Sequence, residues 1–233
     1  MTIKKIRLVP NYRKKWAVKL IPQITAFLKK HGYVIAHTHV DITICIGGDG
    51  TIFYANHQKR IQGVILGLGS HTSALCIIRK DNWKRKIIPL LKNARKEKRL
   101  TLQLGVGKKH YTALNDIVVH THDYRVITLF VKINEEQHTF EGDGVIISTP
   151  SGSTAYAYSA GGKILTSRAR KIQIVPICPY KRTIKPMVVL ENSTIEIFAD
   201  RSSDLIIDGI YLRRLEPKKK IIITKGKNIL FLK

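Results

Sequence analysis

The sequence predicts an α/β first domain with a parallel sheet, followed by a mostly antiparallel β second domain, as in a two-domain protein. Up to residue 95, apolar runs of strand length alternate with patterns at helical spacing. This alternation is typical of a parallel sheet covered by helices on both faces. Beyond residue 99, strand-like runs follow one another with few helices. Their period-two alternation and tight turns are typical of antiparallel sheets.

The bulk composition narrows the class of protein. The chain has 233 residues and 44% hydrophobic content, enough for one large domain or two small ones with a real core. No stretch approaches the roughly 18 consecutive apolar residues of a membrane span, and the N-terminus lacks an apolar signal region. Cys45, Cys76 and Cys178 have no close partners, which argues against a disulfide framework and a cysteine-based zinc site. We therefore expect a cytoplasmic protein with no membrane partner.

The formal net charge of +25 attracts anions, a class that includes nucleic acids, anionic lipids and nucleotide phosphates. The basic residues are spread over many short clusters and are not concentrated with aromatic residues along one strand or helix. Each cluster alone is more simply explained as a solvated face. We therefore expect no specific nucleic-acid partner.

The elements of the first domain follow in order. Residues 3–10 form a short strand, and apolar residues from Trp16 to Leu28 recur at helical spacing, although Pro22 interrupts the pattern. Gly32 stands where a helix C-terminus favours glycine. The remaining predicted elements are strands at 33–37, 41–47 and 63–69, a helix from Thr51 to Arg60, and a helix capped by Asp81 that runs to Ala94.

The charged run KNARKEKR (92–99) is the predicted boundary, which gives domains at 1–98 and 99–233. The strands predicted beyond it are LTLQLGV, ALNDIVVH, RVITLFVKI, VIIST, IQIVPI, MVVL, TIEIFA, DLIID and KIIIT.

The run ICIGGDGTIF (44–53) interrupts a buried strand with three glycines around one carboxylate. A glycine-rich turn between a strand and a helix presents backbone N–H groups to a phosphate. The run is not the lysine-bearing nucleotide loop, because no Gly-Lys-Ser/Thr follows, and it lacks the dinucleotide fingerprint. Glycine and aspartate also favour ordinary turns, so the motif alone leaves both interpretations open.

A longer motif, GDGVIISTPSGSTAYAYSAGG, occupies residues 142–162. It contains a carboxylate in a glycine turn, a strand, five hydroxyls from Ser148 to Thr154, and a short helical stretch from Ala155 to Ala160. Such hydroxyls cap helices, and they equally bind ribose or phosphate. Because capping needs only one of them, we favour a ligand-binding role.

Four stretches now resemble the NAD kinase family, in the same order and over roughly residues 41–210. They are GGDGT, LNDIVVH (114–120), the 142–162 motif and IVPICPY (174–180). The resemblance implies an enzyme that transfers a phosphoryl group from ATP, or from polyphosphate, to the 2′-hydroxyl of the adenosine ribose of NAD, giving NADP. It further implies a site at the domain junction, a divalent metal such as Mg²⁺ carried on the donor phosphates, and a homo-oligomer, either a dimer or a tetramer.

The resemblance also implies roles for individual residues. Asp49 is the implied general base, because a placed carboxylate accepts the proton of a ribose hydroxyl as the P–O bond forms. The implied phosphate-binding residues are Gly47, Gly48, Gly50 and Thr51, with glycines that leave room for phosphate oxygens and a threonine that opens the next helix. The implied NAD-binding residues are Asn115, Asp116, Asp143, Ser151, Thr154, Ala155, Tyr156 and Ser159.

Two stretches depart from the family pattern. In GLGSHTSALC (67–76), Gly69 replaces the usual asparagine and Leu75 the usual aromatic residue, so we expect a differently lined adenine pocket. The chain ends in KIIITKGKNILFLK, where many members run on so that the tail returns to the first domain. Here we expect that return to be shortened or missing, although the domain assignment allows the tail to contact the first domain.

Other interpretations stay open from the sequence. HTHVD (37–41) and HTHD (120–123) carry donor types that a metal uses, but such histidines are commonly surface residues, and we predict no dedicated metal site. The alternatives to an NAD kinase are a lipid kinase of the related GGDGT superfamily, a non-catalytic NAD-binding relative and a nucleic-acid-binding protein.

Overall fold

The computed structural model describes residues 3–233, which form two compact units. The first unit runs to Lys98 and also takes in Ile229–Lys233. The second unit is Arg99–Asn228. The last residues of the chain therefore complete the unit in which the chain begins.

The first part of the chain alternates strands and helices. In chain order its elements are β1 (Lys5–Pro10), α1 (Lys15–Lys30), β2 (Val34–Ile35), β3 (Ile42–Ile46), α2 (Asp49–His57), β4 (Val64–Gly69), β5 (Ile78–Arg79), α3 (Trp83–Asn93) and β6 (Lys96–Arg99).

The rest of the chain is almost entirely strand. Its elements are β7 (Leu102–Val106), β8 (Lys109–Ala113), β9 (Asp116–Thr121), β10 (Ile127–Ile133), β11 (Glu136–Gly142), β12 (Gly144–Ser148), the short helix α4 (Tyr156–Ser159), β13 (Lys171–Ile177), β14 (Met187–Leu190), β15 (Ile195–Ala199), β16 (Ser203–Ile207), β17 (Ile210–Leu215), β18 (Ile221–Lys225) and β19 (Ile229–Leu232). Short 3₁₀ turns lie at Gly152–Thr154 and Tyr180–Arg182.

The sheet of the first unit has the strand order β2-β1-β3-β4-β19-β6, with β5 also paired to β4. Strands β1, β3 and β4 pair in parallel, and every residue of β3 and β4 is buried. Apolar residues of α1 and α3, such as Ile24 and Ile87, share one core with these strands. Since parallel strands end at the same edge, the loops after β1, β3 and β4 start next to one another.

The second unit contains two six-stranded antiparallel sheets, ordered β11-β10-β15-β18-β7-β8 and β14-β13-β12-β9-β16-β17. Alternate residues of both sheets form one core, as in a β-sandwich. The other face of the second sheet is also buried, because Ala157 of α4 packs there with Val118, Ile146 and Val175. The predicted fold class, a parallel α/β part followed by antiparallel β structure, is confirmed.

The chain passes from one sheet to the other between β11 and β12, and Asp143 is the single residue at this crossing. A β-carbon at Gly142 would lie 2.9 Å from the Ile177 carbonyl oxygen, and one at Gly144 would lie 2.3 Å from that of Val119. Both flanking positions therefore require glycine for the strands to approach. The glycines of this motif serve packing and fix where Asp143 emerges.

The C-terminal return, which was expected to be shortened or missing, is present as a strand of four residues. Strand β19 lies between β4 and β6, and Phe231 aligns with Ile65 of β4 in a parallel pair. Phe231 and Leu232 are 4% and 3% exposed, so a four-residue apolar strand is enough to fill this place in the sheet.

Two local predictions need correction. Helix α2 begins at Asp49 rather than at Thr51, with Gly48 as its N-cap. Helix α3 is preceded by Asn82 rather than Asp81, because the Asn82 side chain accepts the Arg79 N–H while Asp81 pairs with His71. At the predicted boundary, the second half of the charged run, Lys96–Arg99, forms strand β6.

A substitution in the last strand, β19, tests whether this strand belongs to the core of the first unit. Leu232→Ala should lower the free energy of unfolding of this unit by about 2–5 kcal/mol, because it removes a buried side chain from the core. Both tryptophans, Trp16 and Trp83, belong to the first unit, so tryptophan fluorescence in urea reports its unfolding. The exposed control Lys227→Ala should change it by less than about 0.5 kcal/mol, and equal values for the two variants would contradict the assignment.

Candidate functional site

The GGDGT run forms the turn between β3 and α2. Gly47 and Gly48 have φ angles of +150° and +109°, values that side-chain-bearing residues rarely adopt. The chain then enters α2 directly at Asp49. The turn therefore places one carboxylate at the first residue of a nine-residue helix, where the free N–H groups favour negative charge.

The three glycines of this turn serve different purposes. A β-carbon at Gly47 would lie 2.3 Å from the Thr51 hydroxyl oxygen and 2.6 Å from Asn11 Cβ, so that space is filled by the protein itself. At Gly50, apart from the adjacent residues and the backbone of the helix itself, no atom of residues 3–233 lies within 4 Å of such a carbon. The expectation that all three glycines leave room for phosphate therefore does not apply to Gly47, which is required for internal packing.

The Asp49 carboxylate is fixed by two peptide groups of the loop that follows β4. The Ala74 N–H donates to Oδ2 at 2.6 Å, and the Leu75 N–H donates to Oδ1 at 3.0 Å. Each oxygen thus keeps lone pairs for a further proton donor. The half-buried Asp49 carboxylate is therefore oriented by two backbone N–H groups, and neither of these two contacts involves a cationic side chain.

The divergent stretch 67–76 forms β4 and this loop. A β-carbon at Gly69 would lie 2.4 Å from the Ser73 hydroxyl, so a larger residue there would displace the loop. The Arg79 guanidinium donates to the carbonyls of Ser70 and Ser73 at 2.7 and 2.8 Å. Leu75, in the position of the usual aromatic residue, is 5% exposed and keeps its N–H on Asp49. The departures therefore belong to a compact loop that holds the carboxylate.

Two cysteines lie close to this turn. Complete burial raises the pKa of the Cys45 thiol to about 12. Burial, and next the neighbouring Asp49 carboxylate, also raises the pKa of Cys76 far above its usual range. Both thiols stay protonated at neutral pH, so neither supplies a thiolate nucleophile.

In the second unit, Asn115 and Asp116 stand at the start of β9, and Asp208 holds their backbone. The Asp208 carboxylate accepts the N–H groups of Leu114, Asn115 and Asp116 at 3.0, 2.6 and 3.3 Å. Asp208 and Gly209 form the two-residue turn between β16 and β17, both with positive φ. Sequence reasoning missed this role of Asp208. An Asp-Gly pair is typical of a hairpin turn, but it does not indicate that the carboxylate binds a distant backbone segment.

The side chains of the Asn-Asp pair are poorly satisfied inside the protein. Asp116 is 5% exposed, and burial followed by the neighbouring Asp208 charge raises its pKa to about 7. The Asn115 side-chain oxygen is buried without a hydrogen-bond partner. A buried polar group without a partner costs free energy, so the Asn115 side chain suits a ligand that supplies the partner.

The five hydroxyls of Ser148 to Thr154 divide into two groups. Ser148, Thr149 and Ser153 are fully buried and bond to backbone carbonyls, for example Thr149 Oγ1 to the Leu114 carbonyl at 2.7 Å. Three of the five hydroxyls therefore have structural roles, whereas from the sequence we expected structure to require only one. The Ser151 hydroxyl accepts a hydrogen bond from the Arg99 guanidinium at 3.3 Å. Ser151 is partly exposed and Thr154 is exposed, so both are accessible to a ligand.

Glycine again brings this segment close to the Asn-Asp pair. A β-carbon at Gly152 would lie 2.3 Å from the Asn115 carbonyl oxygen, so only glycine allows the 3₁₀ turn to rest there. Ala155 follows this turn and precedes α4, and Ser159, the last residue of α4, is exposed. The predicted residues 151–159 therefore begin beside Asn115.

Tyr156 and two carboxylates lie together on the same part of the second unit. Partial burial raises the pKa of Tyr156, followed by smaller effects of Cys178, Asp143 and Asp116. The Cys178 thiol is hydrogen-bonded to Asp143, which contributes to its raised pKa after burial. Asp116, Asp143 and Tyr156 thus form one polar cluster, and Cys178 is a member that sequence reasoning missed.

The predicted residues accordingly fall into two groups, each described within its own unit. Gly47 to Thr51 lie in the first unit with the loop that holds Asp49, and all predicted NAD-binding residues lie in the second. Across residues 3–233, no group of three or more His, Cys, Asp or Glu side chains is arranged to hold a metal ion.

Comparison with known proteins identifies the family. Residues 114–231 match the family model of the ATP-NAD kinase C-terminal domain, which is half of the chain. The NAD kinase of Chlorobium phaeobacteroides (strain BS1) is 32% identical over 206 residues, which cover 84% of this chain and 72% of that protein. The chain belongs to the NAD kinase family.

Solved structures from the NAD kinase family share the fold. Yeast NADH kinase, determined with NADH, superposes with a TM-score of 0.89 at 18% identity and covers 99% of this chain and 83% of its own. An NAD kinase from Archaeoglobus fulgidus, determined with ATP, gives a TM-score of 0.84 at 21% identity, with 99% and 93% covered. The predicted family resemblance is confirmed.

As to membranes, the helices described between residues 3 and 233 are all too short or too polar to span a bilayer.

A pair of glycine variants separates packing from access at the turn. Gly47→Ala should destabilise the first unit by about 1–3 kcal/mol or more, because the methyl group meets Thr51 and Asn11 at a strained φ. Gly50→Ala should be neutral or stabilise it by up to about 1 kcal/mol, because alanine favours the helix. Tryptophan fluorescence in urea measures both, and the opposite ranking would refute the packing argument.

The buried Asp116 carboxyl predicts a pH effect on stability. Since its pKa rises from 3.8 to about 7 on folding, the folded state binds the extra proton between these values. The free energy of unfolding should therefore fall by up to about 1.4 kcal/mol per pH unit across this window. In Asp116→Asn this contribution is absent. The free energy of unfolding of the variant, relative to that of the wild type, should therefore rise from pH 5 to pH 8, as measured by urea unfolding with circular dichroism.

The exposed carboxylate Asp123 provides the matched control for this pH effect. Asp123→Asn should follow the wild type at both pH values. If the free energies of unfolding of Asp116→Asn and Asp123→Asn showed the same pH dependence, the conclusion that Asp116 is buried and titrates near pH 7 would be wrong.

Proposed function

We propose that this protein is an NAD kinase, which transfers the terminal phosphoryl group of ATP to the 2′-hydroxyl of the adenosine ribose of NAD and releases NADP and ADP. Membership of the family supports the reaction, and the match covers the region that holds the proposed NAD-binding residues. The observation that carries the proposal is the oriented Asp49 carboxylate at the start of α2, beside the glycine turn.

We propose Asp49 as the general base. The 2′-oxygen forms a bond to the terminal phosphorus while the bond from that phosphorus to the bridging oxygen breaks and ADP leaves with the electron pair. The hydroxyl proton passes to the Asp49 carboxylate. A ribose hydroxyl is a weak nucleophile, so a carboxylate placed to accept its proton lowers the barrier. The two peptide N–H groups that hold Asp49 keep it in place for this transfer.

The donor phosphates are proposed to bind at the turn formed by Gly47, Gly48, Gly50 and Thr51, in which Gly47 serves internal packing. The N-terminus of α2 favours negative charge there, and Gly50 leaves open space beside the backbone. Polyphosphate carries the same terminal group and remains an alternative donor to ATP.

The second unit is proposed to bind NAD. Asn115 supplies a buried side-chain oxygen without a partner among the described residues, and Asp116 is a buried carboxyl beside it. Asp143 and Tyr156 extend the same cluster. The accessible residues of the following segment complete the proposed set, which consists of Asn115, Asp116, Asp143, Ser151, Thr154, Ala155, Tyr156 and Ser159.

Mg²⁺ is proposed to arrive on the phosphates of ATP, as part of the substrate. The described residues offer no cluster of three ligands, and one carboxylate at a glycine turn suits a metal that keeps phosphate and water ligands. Bound Mg²⁺ neutralises phosphate charge. We also propose a cytoplasmic location and self-association as a dimer or tetramer, in keeping with the family resemblance.

A coupled assay tests the proposed function directly. Purified protein with NAD, ATP and Mg²⁺ should produce NADP, read by an NADP-specific dehydrogenase, and parallel assays with polyphosphate decide the donor. A protein that binds NAD but forms no NADP with either donor would instead be a non-catalytic relative.

Asp49→Asn tests the general base. The variant should lose about 10²- to 10⁴-fold in kcat, because the amide does not accept the proton, while the Kd for NAD changes little. Asp81→Asn, which alters an exposed carboxylate of the same unit, should keep wild-type turnover. Near-normal turnover by Asp49→Asn would exclude this role.

A further inference from the structure

The glycine turn contains no basic residue of its own, although a triphosphate bound there carries several negative charges. Enzymes that transfer phosphoryl groups usually place a cationic side chain at such a site. The sequence GGDGT lacks the lysine that follows the glycines in the nucleotide loop. A cation for this turn must therefore come from another part of the chain.

Lys14 reaches the turn from the connection between β1 and α1. Its Nζ donates to the Gly47 carbonyl at 2.6 Å, and it lies 3.7 Å from the position that a β-carbon of Gly48 would occupy. The ammonium group has three donors, so two remain for a ligand. Lys14 thus brings a positive charge onto the backbone of the proposed phosphate turn.

The backbone of Lys14 is held in place. The Asn11 N–H donates to the Ile46 carbonyl at 2.8 Å, which continues the pairing of β1 with β3, and the Lys14 N–H donates to the Asn11 carbonyl at 3.0 Å. The Asn11 side chain also accepts the Arg13 N–H. Lys14 then precedes the first residue of α1. It therefore stands at the carboxyl ends of neighbouring parallel strands, where ligands of α/β sheets bind.

A second polar group at the same turn lacks a partner. Thr51 is 4% exposed, and its hydroxyl has no hydrogen-bond partner within residues 3–233. This hydroxyl packs against the backbone of Gly47, 2.3 Å from the position that a Gly47 β-carbon would occupy. The Ser73 hydroxyl lies on the other side, 3.0 Å from the corresponding position at Gly48. Lys14 Nζ and the Thr51 and Ser73 hydroxyls therefore all lie within a few ångströms of the backbone of the turn.

We propose that Lys14 is a phosphate-binding residue, which contacts the phosphate chain of the donor at the turn formed by Gly47 and Gly48. The proposal rests on the proposed function, because it names a further residue of the donor site. On binding, Lys14 neutralises charge that the glycine backbone alone does not. The lysine that the motif lacks is thereby supplied by a residue 33 positions earlier in the chain.

Three variants of Lys14 and one neighbour test this proposal. Lys14→Met removes the charge and the donor, Lys14→Gln keeps a donor for the Gly47 carbonyl without the charge, and Lys14→Arg keeps the charge. Lys15→Met removes an equal charge one residue away, on the first residue of α1. Affinity for ATP with Mg²⁺ is measured by titration calorimetry on the full chain without NAD, and the KM values for ATP and NAD are measured in the coupled assay.

Lys14→Met and Lys14→Gln should both weaken ATP binding about 10- to 100-fold, as expected for loss of a charged hydrogen bond, and leave the KM for NAD unchanged. Lys14→Arg should restore part of the loss. Lys15→Met should change ATP affinity less than about three-fold, as for an exposed charge. Tryptophan fluorescence in urea confirms that each variant is folded.

The proposal is overturned if Lys14→Gln binds ATP like the wild type, since Lys14 would then only support the Gly47 carbonyl. It is also overturned if Lys14→Met and Lys15→Met weaken ATP binding equally, since only the general positive field would matter. Failure of the proposed function has a different result: the wild type would form no NADP, while the titration would still decide whether Lys14 binds ATP.

Discussion

The geometry around the glycine turn depends on one interaction, the pair of hydrogen bonds from the Ala74 and Leu75 N–H groups to the Asp49 carboxylate. These bonds join the loop after β3 to the loop after β4, and the parallel order of the two strands places the loops side by side. Asp49 is thereby oriented by backbone, which does not titrate. A divergent loop sequence is compatible with this device, because peptide N–H groups are supplied by every residue except proline.

The second unit also relies on hydrogen bonds between a carboxylate and backbone N–H groups. In the first unit the backbone orients the carboxylate, whereas in the second the carboxylate orients the backbone. There the Asp208 carboxylate accepts the N–H groups at the start of β9, and the proposed NAD-binding residues Asn115 and Asp116 belong to the segment that it holds. Gly152 and Gly144 remove the β-carbons that would otherwise keep neighbouring segments apart. In both units, backbone contacts fix the positions from which the proposed ligand-binding side chains extend.

The sequence predicted the features that depend on local pattern. The fold class and most strands followed from apolar periodicity, and the family followed from a resemblance of the motifs at Gly47 to Thr51, 114–120, 142–162 and 174–180 to those of NAD kinases. Features set by long-range contacts were not predictable in this way. Strand β19 is only four residues long and is stabilised by its neighbours in the sheet, and Lys14 meets Gly47 only after β1 pairs with β3. Likewise, only burial distinguishes the structural hydroxyl of Ser153 from the exposed one of Thr154.

The central claim is that the backbone-held carboxylate of Asp49 takes the proton of the ribose hydroxyl. The most direct measurement is a crystal structure of the protein with NAD and a non-hydrolysable ATP analogue, read for the distance between Asp49 and the 2′-oxygen. The account predicts a hydrogen bond of about 2.6–3.2 Å, with the Ala74 and Leu75 N–H groups still bound to the carboxylate. A 2′-oxygen that instead contacts a different acidic residue, with Asp49 beyond reach even through one water, would contradict it.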